Sequence, residues 1–234
     1  MSKPASNIGE RDSQDPSAAS ATGRGRFRHV VVLGDVLLEA YQSIDKTPGK
    51  FEDALLPGTR DQWKISVISS AKIERAGSAL ALPPDATHAL IFIEGNHAIE
   101  KSGLLDARTQ AFGQTLDQIA RAADEFEHTL YSLIQVAQAA RLVIMVCTMF
   151  APNYKDPARQ RAASAVLAVF NDRVTKRAAE ARVSLIDLRL TCNEPEDYDK
   201  PTQLSQSGLQ KAANVIRFAM LELDAGARRS EVFF

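Results

Sequence analysis

The chain has 234 residues, 45% hydrophobic and 24% charged, which suits one large α/β domain that buries roughly 70% of its unfolded surface. Its 28 basic and 29 acidic residues leave a formal charge of -1, so nothing electrostatic calls for nucleic acid or an anionic membrane as a partner. Cys147 and Cys192 are the only cysteines and neither sits in a CxxC pair, which argues against a disulfide framework and against a thiolate zinc site.

Residues 1–26 are rich in Ser, Ala, Gly, Pro and charge and have little to bury, so a disordered N-terminal tail is expected there. No apolar signal-peptide core opens the chain, and every apolar run is short of the ~20 residues that a spanning helix needs. The expectation is a soluble, cytoplasmic protein with no cofactor and no metal. A domain over 27–225 and a C-terminal tail over 226–234 complete the predicted organisation.

Five short apolar runs, at 29–33, 64–68, 88–93, 142–147 and 183–187, read as strands. Most are continuously apolar and β-branched, the pattern of strands covered on both faces of a parallel sheet. A possible short helix at 51–56 lies between turns at Pro48-Gly49 and Pro57-Gly58. Leu116, Ile119, Ala123, Leu130, Ile134 and Ala137 then keep three- and four-residue steps, one stripe of a long helix. Ala162, Val166, Val169, Phe170 and Val174 mark a second helix, and Leu209 to Leu223 a third with Ser205 or Ser207 as its N-cap. Strands alternating with helices predict a three-layer α/β/α fold with a five-stranded parallel sheet of the flavodoxin-like kind.

In such folds the working groups gather at the carboxyl ends of the strands. Those ends hold Gly34-Asp35-Val36, Ser69-Ser70, Glu94-Gly95-Asn96-His97, Thr148 with Asn153, and Asp187 with Arg189. The first resembles the Gly-Asp-Ser block of SGNH/GDSL hydrolases, and Glu94 to His97 resembles their Gly-x-Asn-Asp block. Cys147-Thr148 to Pro152-Asn153, Phe170-Asn171-Asp172, and Asp187 through Tyr198 to Ser205 and Gly208 are similar to segments of one bacterial branch. Each block is weak alone; their order and spacing over about 29–223 carry the resemblance, which implies an SGNH hydrolase fold and an esterase ancestry.

The resemblance also implies where the chemistry should stand. The nucleophilic serine maps to Val36, the oxyanion-hole glycine to Ser69 and the oxyanion-hole asparagine to Asn96. The catalytic histidine maps to Gln203 and its aspartate to Lys200. Valine has no lone pair with which to attack a carbonyl, and glutamine takes no proton near neutral pH. No histidine follows His128. A pseudoenzyme that keeps its cleft for a small-molecule ester or acylated ligand is therefore expected.

An alternative reading places a relocated hydrolytic site at Asp35, Glu94 and His97, with Ser69 nearby; the simpler reading has Asp35 capping a turn and His97 in solvent. A third has the long helix joining copies into a homo-oligomer. The acidic run Glu194, Glu196, Asp197 and Asp199 reads as a solvated loop. Asp187 and Arg189 read as an ion pair or as a hold on the loop from Asn193 to Ser205, a packing role either way. Cys147 and Cys192 read as thiols that could lie close enough to pair.

Overall fold

The computed structural model describes residues 28–34, 55, 63–93, 112–224 and 231–234. The sheet is built from β1 (Arg28–Leu33), β2 (Trp63–Ile68), β3 (His88–Ile91), β4 (Val143–Cys147), β5 (Ser184–Ile186) and β8 (Val232–Phe233), in the order β2-β1-β3-β4-β5-β8. Every pairing in it is parallel. The helices are α1 (Ser70–Ala76), α2 (Phe112–Ala139), α3 (Pro157–Ala181), the single turn α4 (Leu188–Thr191) and α5 (Gln206–Asp224).

Alternation along the strands divides the core in two. Val30, Val32, Leu90, Phe92, Met145 and Ile186 pack against Leu209, Ala213, Ile216 and Met220 of α5. Val31, Leu33, Ala89, Ile91, Ile144 and Val146 face the other way, onto Leu130, Ile134 and Ala137 of α2, with Ile73 of α1 and Val174 of α3. Beyond the sheet, α2 and α3 grip each other through Ala123, Val166, Leu167 and Phe170. From Ile119 to Ala137 the apolar stripe of the long helix is thus spent on the sheet and on α3, while Leu116 is exposed. Between the same helices, Glu127 of α2 takes Arg173 at 3.1 Å and Arg177 at 2.8 Å from α3.

The sheet departs from the expected five strands by one. Val232–Phe233, in the segment read as a C-terminal tail, adds a sixth strand beside β5. Leu185 and Asp187 donate to Glu231 and Phe233 carbonyls, and Phe233 is buried with its ring 6.0 Å from that of Phe218. Two residues are too few to show a period, so only pairing reveals them. The 51–56 helix falls outside the described residues except for Leu55, which is helical and fully buried.

A second departure is the segment between α4 and α5. Glu194, Glu196 and Asp199 are exposed, as the solvated reading has them, but the segment is ordered into a one-turn helix (Pro195–Asp197) and a small antiparallel hairpin, β6 (Tyr198–Lys200) with β7 (Gln203–Leu204). Asp197 is fully buried there. Its carboxylate receives Lys211 Nζ at 2.8 Å and the Glu194 amide at 3.1 Å, so the charge is paired rather than hydrated. Gly208 makes the close approach possible: a Cβ there would stand 2.3 Å from the Asp197 carbonyl oxygen.

Candidate active-site edge

The strand order reverses between β1 and β3, the point where ligands bind in open α/β sheets. Gly34 closes β1 at that point with φ +126°, and its N–H donates to Ile68 O at 3.0 Å. A Cβ on it would lie 1.9 Å from the Phe92 carbonyl oxygen beyond β3. Only glycine lets the two strand ends converge. The residues the sequence places next, Asp35 and Val36, lie outside the described residues, as do Glu94, Asn96 and His97.

Ser69, at the end of β2, is described. Its backbone is extended (φ −65°, ψ 153°) and its hydroxyl accepts from the Lys72 amide at 3.4 Å, the N-cap of α1. Lys200 and Gln203 face each other across the β6–β7 hairpin, Lys200 exposed and Gln203 half-buried. The structure thus brings together on one hairpin the two positions to which the sequence resemblance assigns the aspartate and the histidine.

The ends of β4 and β5 are locked by side chains. Thr148, fully buried, donates its hydroxyl to Asp187 Oδ1 at 3.1 Å and accepts from the Leu188 amide at 2.9 Å. Arg189 grips the same carboxylate with two nitrogens, Nε at 2.8 Å, which makes the expected ion pair. Burial alone would raise the Asp187 carboxyl; hydrogen bonds and charge from Arg189, with the Thr148 hydroxyl, bring it below the usual carboxylate range.

Asn171, the middle of Phe-Asn-Asp, is a backbone clamp: Oδ1 accepts from Met149 N at 2.8 Å and Nδ2 donates to Met149 O at 3.0 Å. Asn153 ties the hairpin down, its amide donating to Pro201 O at 2.6 Å. Tyr198 Oη lies 2.7 Å from Ala151 O and 2.6 Å from Cys192 O. Ser205, not Ser207, caps α5, accepting from the Gly208 amide at 3.3 Å. Cys147 and Cys192 are both buried free thiols. Burial pushes Cys192 up to about 12 and Cys147 higher, so neither is a thiolate at neutral pH.

Solved structures share this arrangement. An acetyl xylan esterase, AlAXEase, superposes with TM-score 0.56 at 16% identity, over 82% of this chain and 98% of its own. The lipase/acylhydrolase from Enterococcus faecalis gives 0.58 at 13%, over 84% and 97%. A GDSL-like lipase from Parabacteroides merdae gives 0.59 at 13%, over 85% and 97%. The chain has the SGNH/GDSL hydrolase fold. No family model and no curated protein matches the sequence. At these identities the likeness fixes the hydrolase scaffold and not the chemistry. Among the described residues no group of three or more His, Cys, Asp or Glu could hold a metal ion, and no helix is long and apolar enough to cross a membrane.

At the opposite edge of the SGNH sheet lies a polar cluster that sequence reading missed. His29 of β1 is buried, with Nδ1 2.9 Å from Asp85 Oδ1 and Nε2 2.8 Å from Ser66 Oγ of β2. Lys64 Nζ takes the other carboxylate oxygen of Asp85 at 3.1 Å. Lys64, first, and His29 hold the Asp85 carboxyl below its ordinary range. Thr87 pins the backbone of His29, accepting from its amide at 2.9 Å. His29, Ser66 and Asp85 sit 19 to 56 positions apart, on two strands and the turn before β3, so no linear spacing signals them. The alternation of Lys64, Ser66 and Ile68 on one face of β2 was the sole clue.

Proposed function

We propose that this SGNH-fold protein has lost the family's serine-esterase chemistry at the carboxyl edge and uses that edge to bind a small acylated ligand. The observation that carries the reading is the pair of substitutions at the aligned triad positions: Val36 where an attacking oxygen is required and Gln203 where a proton acceptor is required. The locked surroundings support a binding role. Asn171, Thr148, Asp187 and Asp197 hold the strand ends and the hairpin carrying Gln203 through buried polar ties, a rigid mount of the kind a binding edge needs.

Hydrolysis of p-nitrophenyl acetate tests it. The full chain and a Glu94→Ala, His97→Ala double variant are expected to turn over the ester at the same rate. A rate that falls in the double variant, or in His97→Ala alone, overturns the reading in favour of a relocated hydrolytic site at Asp35, Glu94 and His97.

A further inference from the structure

Aspartate, imidazole and hydroxyl follow one another from the turn before β3, through the second residue of β1, to the middle of β2, away from the edge just discussed. The Asp85 carboxylate, 2.9 Å from His29 Nδ1, favours by its charge the imidazole tautomer that carries its proton on that nitrogen. Nε2 is then left as the acceptor for the Ser66 hydroxyl at 2.8 Å. That is the arrangement by which a base activates a nucleophilic oxygen. The parts are held firmly. Asp85 sits third in a Pro83-to-Ala86 turn closed by an amide-to-carbonyl bond of 3.0 Å, and Lys64 clamps it from the far side. The imidazole is 1% exposed, shielded from water, whereas Asp85 is 47% exposed and Ser66 is half-buried. Ser66 lies on β2, which ends the strand order at that side among the described residues.

From this geometry we infer a second, acyl-accepting site in which Ser66 is the nucleophile, His29 the base and Asp85 the positioning residue, acting on small acyl esters. Ser66 Oγ bonds to the acyl carbon while its proton passes to His29 Nε2. The carbon–oxygen bond to the leaving alcohol then breaks, and the alkoxide takes that proton. Water, deprotonated by the same nitrogen, cleaves acyl-Ser66, releasing the acid and restoring the hydroxyl. Asp85 stays ionised throughout and steadies the imidazolium. The half-exposed Lys64 at the rim adds positive charge on the same strand face.

The test is covalent labelling of the full chain with an alkyl fluorophosphonate, read by intact mass and peptide mapping. One adduct on Ser66 is expected, absent from Ser66→Ala. Its rate of formation should fall about 100-fold in His29→Gln, the scale of a general base. Buried His29 is a risk to folding, so half-exposed Asp85 supplies the second variant: Asp85→Asn should slow labelling about tenfold and Asp85→Glu should recover part of it. The Glu94→Ala, His97→Ala variant should label like the parent, which separates this site from the fate of the carboxyl-edge reading. Absence of label from Ser66, or a labelling rate indifferent to Asp85→Asn, overturns the inference.

Discussion

At the carboxyl ends of β4 and β5 the buried carboxylate of Asp187 is consumed by Arg189, a hydroxyl and an amide, all in the service of backbone position. In the turn before β3, Asp85 spends one oxygen on an imidazole that in turn faces a hydroxyl. Both carboxylates are held below their ordinary range by neighbouring cations, yet one ends a chain of contacts and the other begins one. A scaffold can therefore keep its architecture at one edge while the geometry suited to proton transfer stands at the other. Fold and site are separable properties.

The sharpest way to break the carboxyl edge is at Gly34. Alanine there would need both a positive φ and a Cβ 1.9 Å from Phe92 O, so β1 and β3 must part. Gly34→Ala should cost on the order of 4 kcal/mol or more in urea unfolding. Next is Asn171→Ala. It strips both partners from the Met149 backbone in a buried setting, and the loss should be about 3 kcal/mol. A loss under about 1 kcal/mol would mean that the segment after β4 is held by something else.

Asp187→Asn should cost about 1–2 kcal/mol near neutral pH, since half-exposed Arg189 is partly rehydrated when its partner goes. The sign with pH is fixed by the lowered carboxyl. Its contribution is complete above the unfolded aspartate value of about 3.9 and is lost as pH falls through the lower folded value. Acid-unfolding curves of the parent and Asp187→Asn should therefore converge below about pH 4. Curves that stay parallel would show that the ion pair adds nothing.

Much of the fold was legible because most of the strands are short apolar runs and the long helices carry stripes long enough to count, as in Val30 to Leu33 or Leu130 to Ala137. What escaped was short or non-local. Val232–Phe233 shows no period, and Asp197 reads as one more acid in a polar run until Lys211, fourteen residues on, is seen to meet it. The resemblance pointed to Ser69 and to Phe170-Asn171-Asp172 but not to the roles found there: Ser69 caps a helix, and Asn171 clamps backbone. Asp35, Val36, Glu94, Asn96 and His97 lie outside the described residues, so for them the sequence still speaks alone.

The smallest expected stability effect discriminates most between the two edges. Ser66→Ala removes a hydroxyl that pairs with His29 Nε2, a half-buried hydrogen bond worth about 1 kcal/mol, so the melting temperature should move by only a few degrees. If the cluster were only a tie between β1 and β2, that small shift would be its whole signature. Fluorophosphonate labelling should be abolished as well. Stability and reactivity thus separate at Ser66, whereas Gly34→Ala, Asn171→Ala and Asp187→Asn at the carboxyl edge move stability alone.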